Sequence, residues 1–238
     1  MLASGVFNYL ARDMDYKEAG KRILYILFDP FVNVIKKLGI KPNHITIIGL
    51  VLNIWAVVHL LNYFNWPEFS YGDNLVGFGI ILGFAGLMDT MDGRLARLHG
   101  LKTKFGAFFD SVIDRYSEFI MFFGLVVYFQ HFENFFGMIF SFAALIGSIM
   151  VSYNRSRAEA LGIDCSVGLM QRPERIVFIG LWCLLIGAFF LLDMAILNEQ
   201  FGFSGFDLFT VGFVFLAIST NATALRRVIY SEQQMNKT

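Results

Sequence analysis

Two pairs of aspartates lie a short distance apart in a chain that is otherwise rich in apolar residues. Asp89 and Asp92 are three residues apart, Asp110 and Asp114 are four apart, and both spacings keep a pair on one face of a helix. Carboxylates gathered without nearby Cys or His are the ligands that Mg²⁺, Mn²⁺ and Ca²⁺ prefer. The spacing therefore predicts a site for hard divalent cations. A structural network in which arginines neutralise the aspartates stays open as the alternative.

The segments that carry these aspartates are long and apolar. Of the 238 residues, 56% are hydrophobic and 16% are charged, whereas soluble domains carry about 25% charged residues. Because a membrane-spanning helix needs about 20 mainly apolar residues, the composition predicts an all-α integral membrane protein with six transmembrane helices. The six segments are, approximately, 45–65, 75–96, 106–130, 134–156, 174–196 and 206–226.

The residues before the first predicted span mix basic and apolar side chains. Lys36, Lys37 and Lys41 crowd the end of this stretch, which argues against a spanning helix, and Asp29-Pro30 is expected to interrupt it. We interpret the stretch as an amphipathic segment that lies in the membrane interface. The predicted organisation is an N-terminal cytoplasmic and interfacial segment at 1–41, a six-helix membrane domain at 42–230 and a cytoplasmic tail at 231–238.

The basic residues predict an orientation. With six spans, the two termini and the loops at 97–105 and 157–173 share one side, and all 19 Lys and Arg lie on that side or on helix ends facing it. The positive-inside rule therefore predicts that both termini are cytoplasmic, in the cell (inner) membrane. The aspartates lie at the cytoplasmic ends of the second and third spans. Because the connection between these spans is short, we expect an antiparallel hairpin on which the carboxylates converge.

The aspartates belong to a longer pattern, which resembles the signature of the CDP-alcohol phosphatidyltransferases. Here it reads Asp89-x-x-Asp92-Gly93-x-x-Ala96-Arg97, then eight residues, then Gly106-x-x-x-Asp110-x-x-x-Asp114. The segment "PNHITIIGL" at 42–50 is similar to the start of the first span in that family. The resemblance implies an enzyme of phospholipid synthesis, which transfers a phosphatidyl group from a CDP-linked lipid to an alcohol and releases CMP.

The resemblance also implies metal ligands and a general base. Asp89, Asp92, Asp110 and Asp114 would hold two divalent cations, Mg²⁺ or Mn²⁺, which would stabilise charge on the diphosphate and on the departing CMP. Asp114 would in addition take the proton from the acceptor hydroxyl.

The expected partners follow from the same resemblance. The expected donor is a CDP-linked lipid of the CDP-diacylglycerol type, and the protein is expected to contact membrane lipids. It is also expected to form a homodimer and to bind no nucleic acid. Two structural alternatives to donor binding stay open. Asn43 could cap a helix, and the hydroxyl of Thr46 could serve helix packing. The residues implied in binding the donor are Asn43, Thr46, Gly93, Ala96, Arg97 and Gly106.

A second basic group indicates the acceptor. Arg155, Arg172, Arg175 and Arg227 lie near the cytoplasmic ends of the last three spans, and such a cluster suits a phosphorylated polyol better than a neutral alcohol. These stretches resemble the prokaryotic phosphatidylinositol-phosphate and archaetidylinositol-phosphate synthases, although Gln171 stands where a glutamate is usual. The expected acceptor is inositol phosphate, with glycerol-3-phosphate, inositol and serine as alternatives. Another explanation stays open, in which these arginines only fix the membrane topology and bind lipid head groups.

A transporter is the alternative from a different class, because intramembrane acids also couple transport to ions. Transporter sites usually lie near the membrane midplane, between two related halves of the chain. The acids here lie at one end of adjacent spans, and the sequence has no matching second half. An enzyme is therefore the preferred interpretation.

Overall fold

The computed structural model describes residues 28–61, 71–191 and 205–236, and within these ranges the protein consists of α-helices without β-strands. The first helix, α1, occupies residues 28–37. The other six are α2 (Pro42–Leu61), α3 (Tyr71–Leu98), α4 (Lys104–His131), α5 (Phe135–Ala160), α6 (Arg172–Leu191) and α7 (Gly205–Met235). Each predicted span is found as a helix. The predicted ends at 62–65 and 192–196, residues 1–27 and residues 237–238 lie outside the described residues.

Five of these helices, α2, α3, α5, α6 and α7, are long and apolar enough to cross a membrane. Helix α4 has 28 residues, as many as α3. Its residues up to position 118, however, include Asp110, Asp114, Arg115 and Glu118, so it lacks a sufficiently long apolar stretch with few charges. The described chain is therefore an all-α integral membrane protein with five candidate spans.

The six long helices form a closed ring. In the order α2, α3, α6, α7, α5 and α4, each helix packs on the next, and α4 packs on α2 to close the ring. The expected hairpin packing of α3 on α4 is therefore wrong, since α2 lies between them as the main neighbour of both. A short loop brings only the adjoining helix ends together, whereas packing follows complementary faces: Gly124 of α4 receives Val57 of α2, and Gly49 of α2 faces Met88 of α3.

An aromatic and aliphatic core fills the half of the ring away from the aspartates. Phe129 of α4 stacks on Phe209 of α7 with ring centroids 4.7 Å apart, and it meets Phe213 edge-on at 5.2 Å. Apolar side chains also cover the outside of the ring, as expected for a lipid-facing surface. One exposed example from each long helix, in chain order, is Trp55, Phe84, Phe123, Phe142, Leu181 and Phe215.

Glycines bring the backbones of α3 and α6 into contact. A Cβ added at Gly79 would lie 2.8 Å from the carbonyl oxygen of Gly180, and one added at Gly187 would lie 2.9 Å from that of Gly72. Within each helix the two glycines are seven residues apart, about two turns. These two close contacts fix the antiparallel register of α3 and α6 at two positions along the helix pair. Continued along the helices, it brings the N-terminus of α6 beside the aspartates of α3.

Helix α1 packs on the end of α3 that carries the aspartates. Val32 is completely buried and shares a small apolar cluster with Met91 and Leu95 of α3. The described part of this helix begins at residue 28, so Pro30 lies in its first described turn, where proline is tolerated, and the residues before the expected interruption at Asp29-Pro30 lie outside the described chain.

Candidate active site

Three aspartates from two helices meet inside one end of the ring. Asp89 comes from α3, Asp110 and Asp114 lie one turn apart on α4, and one carboxylate oxygen of each lies within 4.8 Å of the others. The start of α4 is capped by Thr103, whose hydroxyl accepts a hydrogen bond from the Gly106 amide at 2.9 Å. Among the described Cys and His residues none joins this cluster. We refer to Asp89, Asp110 and Asp114 as the aspartate trio.

A single arginine side chain bridges the aspartate trio. Arg172 of α6 places Nη1 3.0 Å from Asp89 Oδ1 and Nη2 2.8 Å from Asp114 Oδ1. Asp110 receives no such partner within the described chain, and its Oδ1 is buried without a hydrogen bond. One guanidinium balances only part of the charge of three carboxylates. The donor set and the unpaired buried oxygen therefore fit a hard divalent cation.

The fourth aspartate of the motif lies beside the trio, with a partner of its own. Asp92 is 5% exposed, and its Oδ2 accepts a hydrogen bond of 2.6 Å from the hydroxyl of Thr46 on α2. The structure thus brings three of the four expected ligands into direct proximity and holds the fourth one turn along α3. The hydroxyl of Thr46 thus connects α2 and α3, which agrees with the helix-packing alternative for this residue. The side chain that it contacts, Asp92, is an expected metal ligand.

One cleft at this end of the ring contains every residue expected to bind the donor. This first cleft has a volume of about 570 Å³, and Asp92 and Asp110 lie in its wall. Lys102 and Lys104 also line it, and sequence reasoning missed both. The sequence did offer a signal for both lysines, because they lie between the two halves of the motif. The expected donor-binding residues in its wall are Asn43, Thr46, Gly93, Ala96, Arg97 and Gly106.

The two motif glycines make room for polar groups in the first cleft. A Cβ at Gly93 would lie 3.2 Å from Nη2 of Arg97, so the guanidinium rests against the bare backbone of α3. A Cβ at Gly106 would lie 3.4 Å from Oδ1 of Asn43. Asn43 is inside the first turn of α2, and its side chain reaches the wall formed by α4.

A second cleft opens on the other side of the aspartate trio. It has a volume of about 310 Å³ and is lined by Asp114 together with Arg155, Arg172 and Arg227. Arg155 Nε donates to Glu159 Oε1 at 2.7 Å within α5. Arg227 donates to the carbonyl oxygens of residues 151 and 167 at 2.6 and 2.9 Å, so it ties the loop at 161–171 to α5.

Arg175, the fourth arginine expected in this group, does not line the second cleft. Its side chain is completely buried, and its Nη2 lies 2.7 Å from Oε1 of Glu118 on α4. Its Nη1 donates to the Met170 carbonyl oxygen at 2.8 Å. The guanidinium is thus paired between the helices and away from the second cleft, so the structure does not place it where a phosphate in that cleft would bind. Sequence reasoning missed Glu118, although it follows Asp114 by four residues and thus shares its helix face.

Comparison with known proteins gives one consistent result. The family described as CDP-alcohol phosphatidyltransferase matches residues 40–218. An archaetidylinositol phosphate synthase of Pyrococcus horikoshii is 40% identical over 146 residues, which cover 60% of this chain and 68% of that protein. A phosphatidylinositol phosphate synthase of Corynebacterium glutamicum is 26% identical over 190 residues, covering 74% and 78%. The crystal structure of the Mycobacterium tuberculosis phosphatidylinositol phosphate synthase in complex with manganese and citrate superposes with a TM-score of 0.66 at 25% identity, covering 85% and 87%.

Proposed function

Because the chain belongs to the CDP-alcohol phosphatidyltransferase family, we propose that it transfers the phosphatidyl group of a CDP-linked lipid to inositol phosphate and releases CMP. The observation that carries this proposal is the position of the aspartate trio between two clefts. Asp110 lines the first cleft and Asp114 lines the second. Two substrates bound in the two clefts would therefore meet at the carboxylates.

The first cleft would hold the cytidine diphosphate part of the donor. Gly93 leaves the space in which Arg97 reaches a phosphate, and Lys102 and Lys104 add positive charge at the rim. Asp89, Asp92, Asp110 and Asp114 would hold two divalent cations, Mg²⁺ or Mn²⁺. When bound, these cations supply positive charge next to the diphosphate and the departing CMP.

Asp114 would act as the general base. It lines the second cleft and belongs to the aspartate trio, so its carboxylate lies where an acceptor hydroxyl can approach the donor. The acceptor oxygen forms a bond to the lipid-side phosphorus, the bond from that phosphorus to the CMP oxygen breaks, and the hydroxyl proton passes to Asp114. Asp89 and Asp110 are held in place by α3 and α4, which both pack on α2.

The second cleft would hold the phosphate of the acceptor. Arg155 and Arg172 present guanidinium groups there, and such groups bind phosphate oxygens in pairs. Arg227 also lines this cleft, where it is buried and donates to two backbone carbonyl oxygens. Two relatives named above as synthases of inositol-phosphate lipids support inositol phosphate over glycerol-3-phosphate, the next alternative. For Arg175 we propose a positioning role, through its contact with the loop before α6.

We also propose that α4 spans the membrane as the sixth helix, within a membrane domain of residues 42–230. Its 28 residues extend about 42 Å at 1.5 Å per residue, and the stretch 119–129 contains no charged residue. The basic loops and helix ends on the side of the aspartates support cytoplasmic termini and a cytoplasmic active site in the cell membrane. The expected homodimer stays a prediction, which light scattering of the detergent-purified protein will check.

The test is a CMP-release assay with the purified full-length protein, CDP-diacylglycerol and Mg²⁺ or Mn²⁺. Inositol phosphate, glycerol-3-phosphate, inositol and serine are offered in parallel. We expect metal-dependent release with inositol phosphate alone, and its loss in Asp114→Asn. Asp164→Asn is the matched control, because Asp164 is exposed in the loop at 161–171 and lines neither cleft.

Three outcomes would contradict parts of this proposal. Release with glycerol-3-phosphate instead would keep the reaction and change the acceptor. Release with a neutral alcohol would make the arginines a topology signal. Absence of metal-dependent release with every acceptor would overturn the proposed reaction.

A further inference from the structure

Arg172 pairs with two of the three carboxylates that could hold a divalent cation. Its two terminal nitrogens lie 3.0 and 2.8 Å from Asp89 and Asp114, which belong to different helices. Its side chain is 17% exposed, so these contacts are formed largely away from water. A cation bound to the aspartate trio and a guanidinium that bridges two of its carboxylates would compete for these carboxylates.

The pairing of Arg172 with the trio is incomplete on both sides. Oδ1 of Asp110 is buried without a hydrogen-bond partner in the described part of the chain, and so is Nε of Arg172. A permanent structural ion pair would be expected to satisfy its buried donors and acceptors. The unsatisfied groups indicate that neither partner has its full set of contacts in this arrangement.

Arg172 also lies in the wall of the second cleft, beside Arg155 and Arg227. The residue begins α6, directly after the loop at 161–171. A long side chain at this position reaches either the carboxylates or the cleft by rotation about its own bonds. One destination is the group of aspartates, and the other is the cleft in which Arg155 and Arg227 lie together with Asp114 and Glu159.

From this geometry we propose that Arg172 is an exchangeable counter-cation, which links metal binding to acceptor binding. Without metal, its guanidinium holds Asp89 and Asp114 together. When divalent cations take these oxygens, the positive charges repel Arg172, which turns into the second cleft and binds the acceptor phosphate. The inference rests on the proposed function, because it takes the cations and the phosphorylated acceptor from there.

The proposal has two thermodynamic consequences. Removing Arg172 removes a competitor, so cations bind more tightly to the remaining aspartates. A phosphate that captures Arg172 also removes this competitor, so phosphate strengthens metal binding, and by reciprocity metal strengthens phosphate binding by the same factor. Couplings of this kind change affinity on the order of tenfold.

The experiment measures Mn²⁺ binding to the full-length protein in detergent, from the electron paramagnetic resonance signal of free Mn²⁺. Titrations are made with and without inorganic phosphate, with protein-free blanks for direct complexation. The variants are Arg172→Gln, Arg172→Lys and Arg155→Gln. Arg155 is the matched control, because it lines the same cleft but pairs with Glu159 and not with the aspartate trio.

Without phosphate, we expect Arg172→Gln to bind Mn²⁺ about tenfold more tightly than the wild type. Arg172→Lys keeps the charge but cannot bridge two carboxylates with a planar group. Its affinity for Mn²⁺ should therefore lie between those of the wild type and Arg172→Gln. Arg155→Gln should match the wild type. Phosphate should tighten Mn²⁺ binding in the wild type and have no such effect in Arg172→Gln.

Two results would overturn the inference: unchanged or weaker Mn²⁺ binding in both Arg172 variants, or a phosphate effect of equal size in Arg172→Gln and wild type. The wild-type comparison needs no variant, so absence of any phosphate effect there also overturns it, even if Arg172→Gln does not fold. If the wild type binds Mn²⁺ and releases CMP while these results are found, only this inference fails. If the wild type binds no Mn²⁺, the proposed function fails with it.

Discussion

Arg94 of α3 and Asp29 of α1 form an ion pair with two hydrogen bonds, from Nε to Oδ1 at 2.7 Å and from Nη2 to Oδ2 at 2.8 Å. Arg94 lies within the motif, directly after Gly93. The pair therefore ties α1 to the turn of α3 that lines the first cleft. A segment interpreted from the sequence as an interfacial helix thus has a second role as a support for the site.

Asp29→Asn should loosen α1 while the ring stays folded. The substitution keeps the shape of the side chain and removes the charge that Arg94 binds on both oxygens. We expect faster hydrogen exchange in residues 28–37, measured by mass spectrometry, and a several-fold higher KM for the CDP-linked lipid. Asp164→Asn serves as the control and should change neither quantity. Unchanged exchange in Asp29→Asn would show that the apolar contacts of Val32 alone hold α1.

The docking of α1 should weaken in acid in two steps. Lys36 Nζ donates to Nδ1 of His99 at 3.0 Å, and desolvation together with the Lys36 charge lowers the pKa of His99. The hydrogen bonds from Arg94 likewise lower the pKa of Asp29. A lowered pKa in the docked state means that the undocked state binds protons more readily, so docking loses stability as the pH falls.

The first loss should begin below about pH 6.5 and belongs to His99, and the second should begin below about pH 4 and belongs to Asp29. Hydrogen exchange of residues 28–37, followed from pH 8 to pH 5, measures the first step. His99→Gln can still accept from Lys36 but does not titrate, so it should remove the dependence in this range. A dependence that persists in His99→Gln would assign the first step to another group.

Gly93→Ala should weaken donor binding with little effect on the fold. The new Cβ would lie 3.2 Å from Nη2 of Arg97, so the flexible guanidinium must shift by a few tenths of an ångström. Because a displaced phosphate ligand binds less well, we expect the KM for CDP-diacylglycerol to rise roughly tenfold. Gly83→Ala is the matched control on the same helix, since nothing lies within 4 Å of its Cβ. Equal KM values in the two variants would contradict a role of Gly93 in the first cleft.

Glu118→Gln should destabilise the protein, because it leaves the completely buried guanidinium of Arg175 without its counter-charge. Breaking a buried pair in this way costs about 3–5 kcal/mol. The double variant Glu118→Gln/Arg175→Met should lose less than the sum of the single variants, as measured by thermal unfolding in detergent. Intact stability in Arg175→Met, together with a raised KM for inositol phosphate alone, would instead return Arg175 to the phosphate-binding group.

Thr46→Val should weaken metal binding without touching a ligand. The substitution removes the hydroxyl that donates to Asp92 at 2.6 Å and keeps the shape of the side chain. Groups that orient metal ligands typically change metal affinity about 10–100-fold, and Mn²⁺ titration measures this effect. Thr90→Val is the control, because within the described residues the Thr90 hydroxyl donates only to the Gly86 carbonyl oxygen of its own helix. Equal Mn²⁺ affinity in the two variants would remove Asp92 from the set of ligands.

The first cleft could be predicted from the sequence because its residues are related by local spacing. Gly93, Ala96 and Arg97 follow Asp92 within five residues, so one helix carries them on one broad face. The lengths of the apolar segments are also local properties, and they predicted all six long helices. The family motif then joined the two halves of the site without any knowledge of how the helices pack.

The second cleft could be predicted only in part. Arg172 and Arg175 are one turn apart on α6, and the sequence offers no reason to separate them. The structure directs Arg172 to the aspartate trio and Arg175 to Glu118, because different levels of α4 lie opposite these two turns. The partner of Asp92 could not be predicted from local spacing either, because Thr46 lies 46 positions earlier in the chain.

The sequence by itself thus determined the helices, the motif and the chemistry of the aspartates, since these depend on the composition and period of single segments. Only the tertiary structure decided the ring order, the separation of α3 from α4 by α2 and the partner of each buried charge. A helix period states which residues share a face, but the packing of the other helices decides what that face meets.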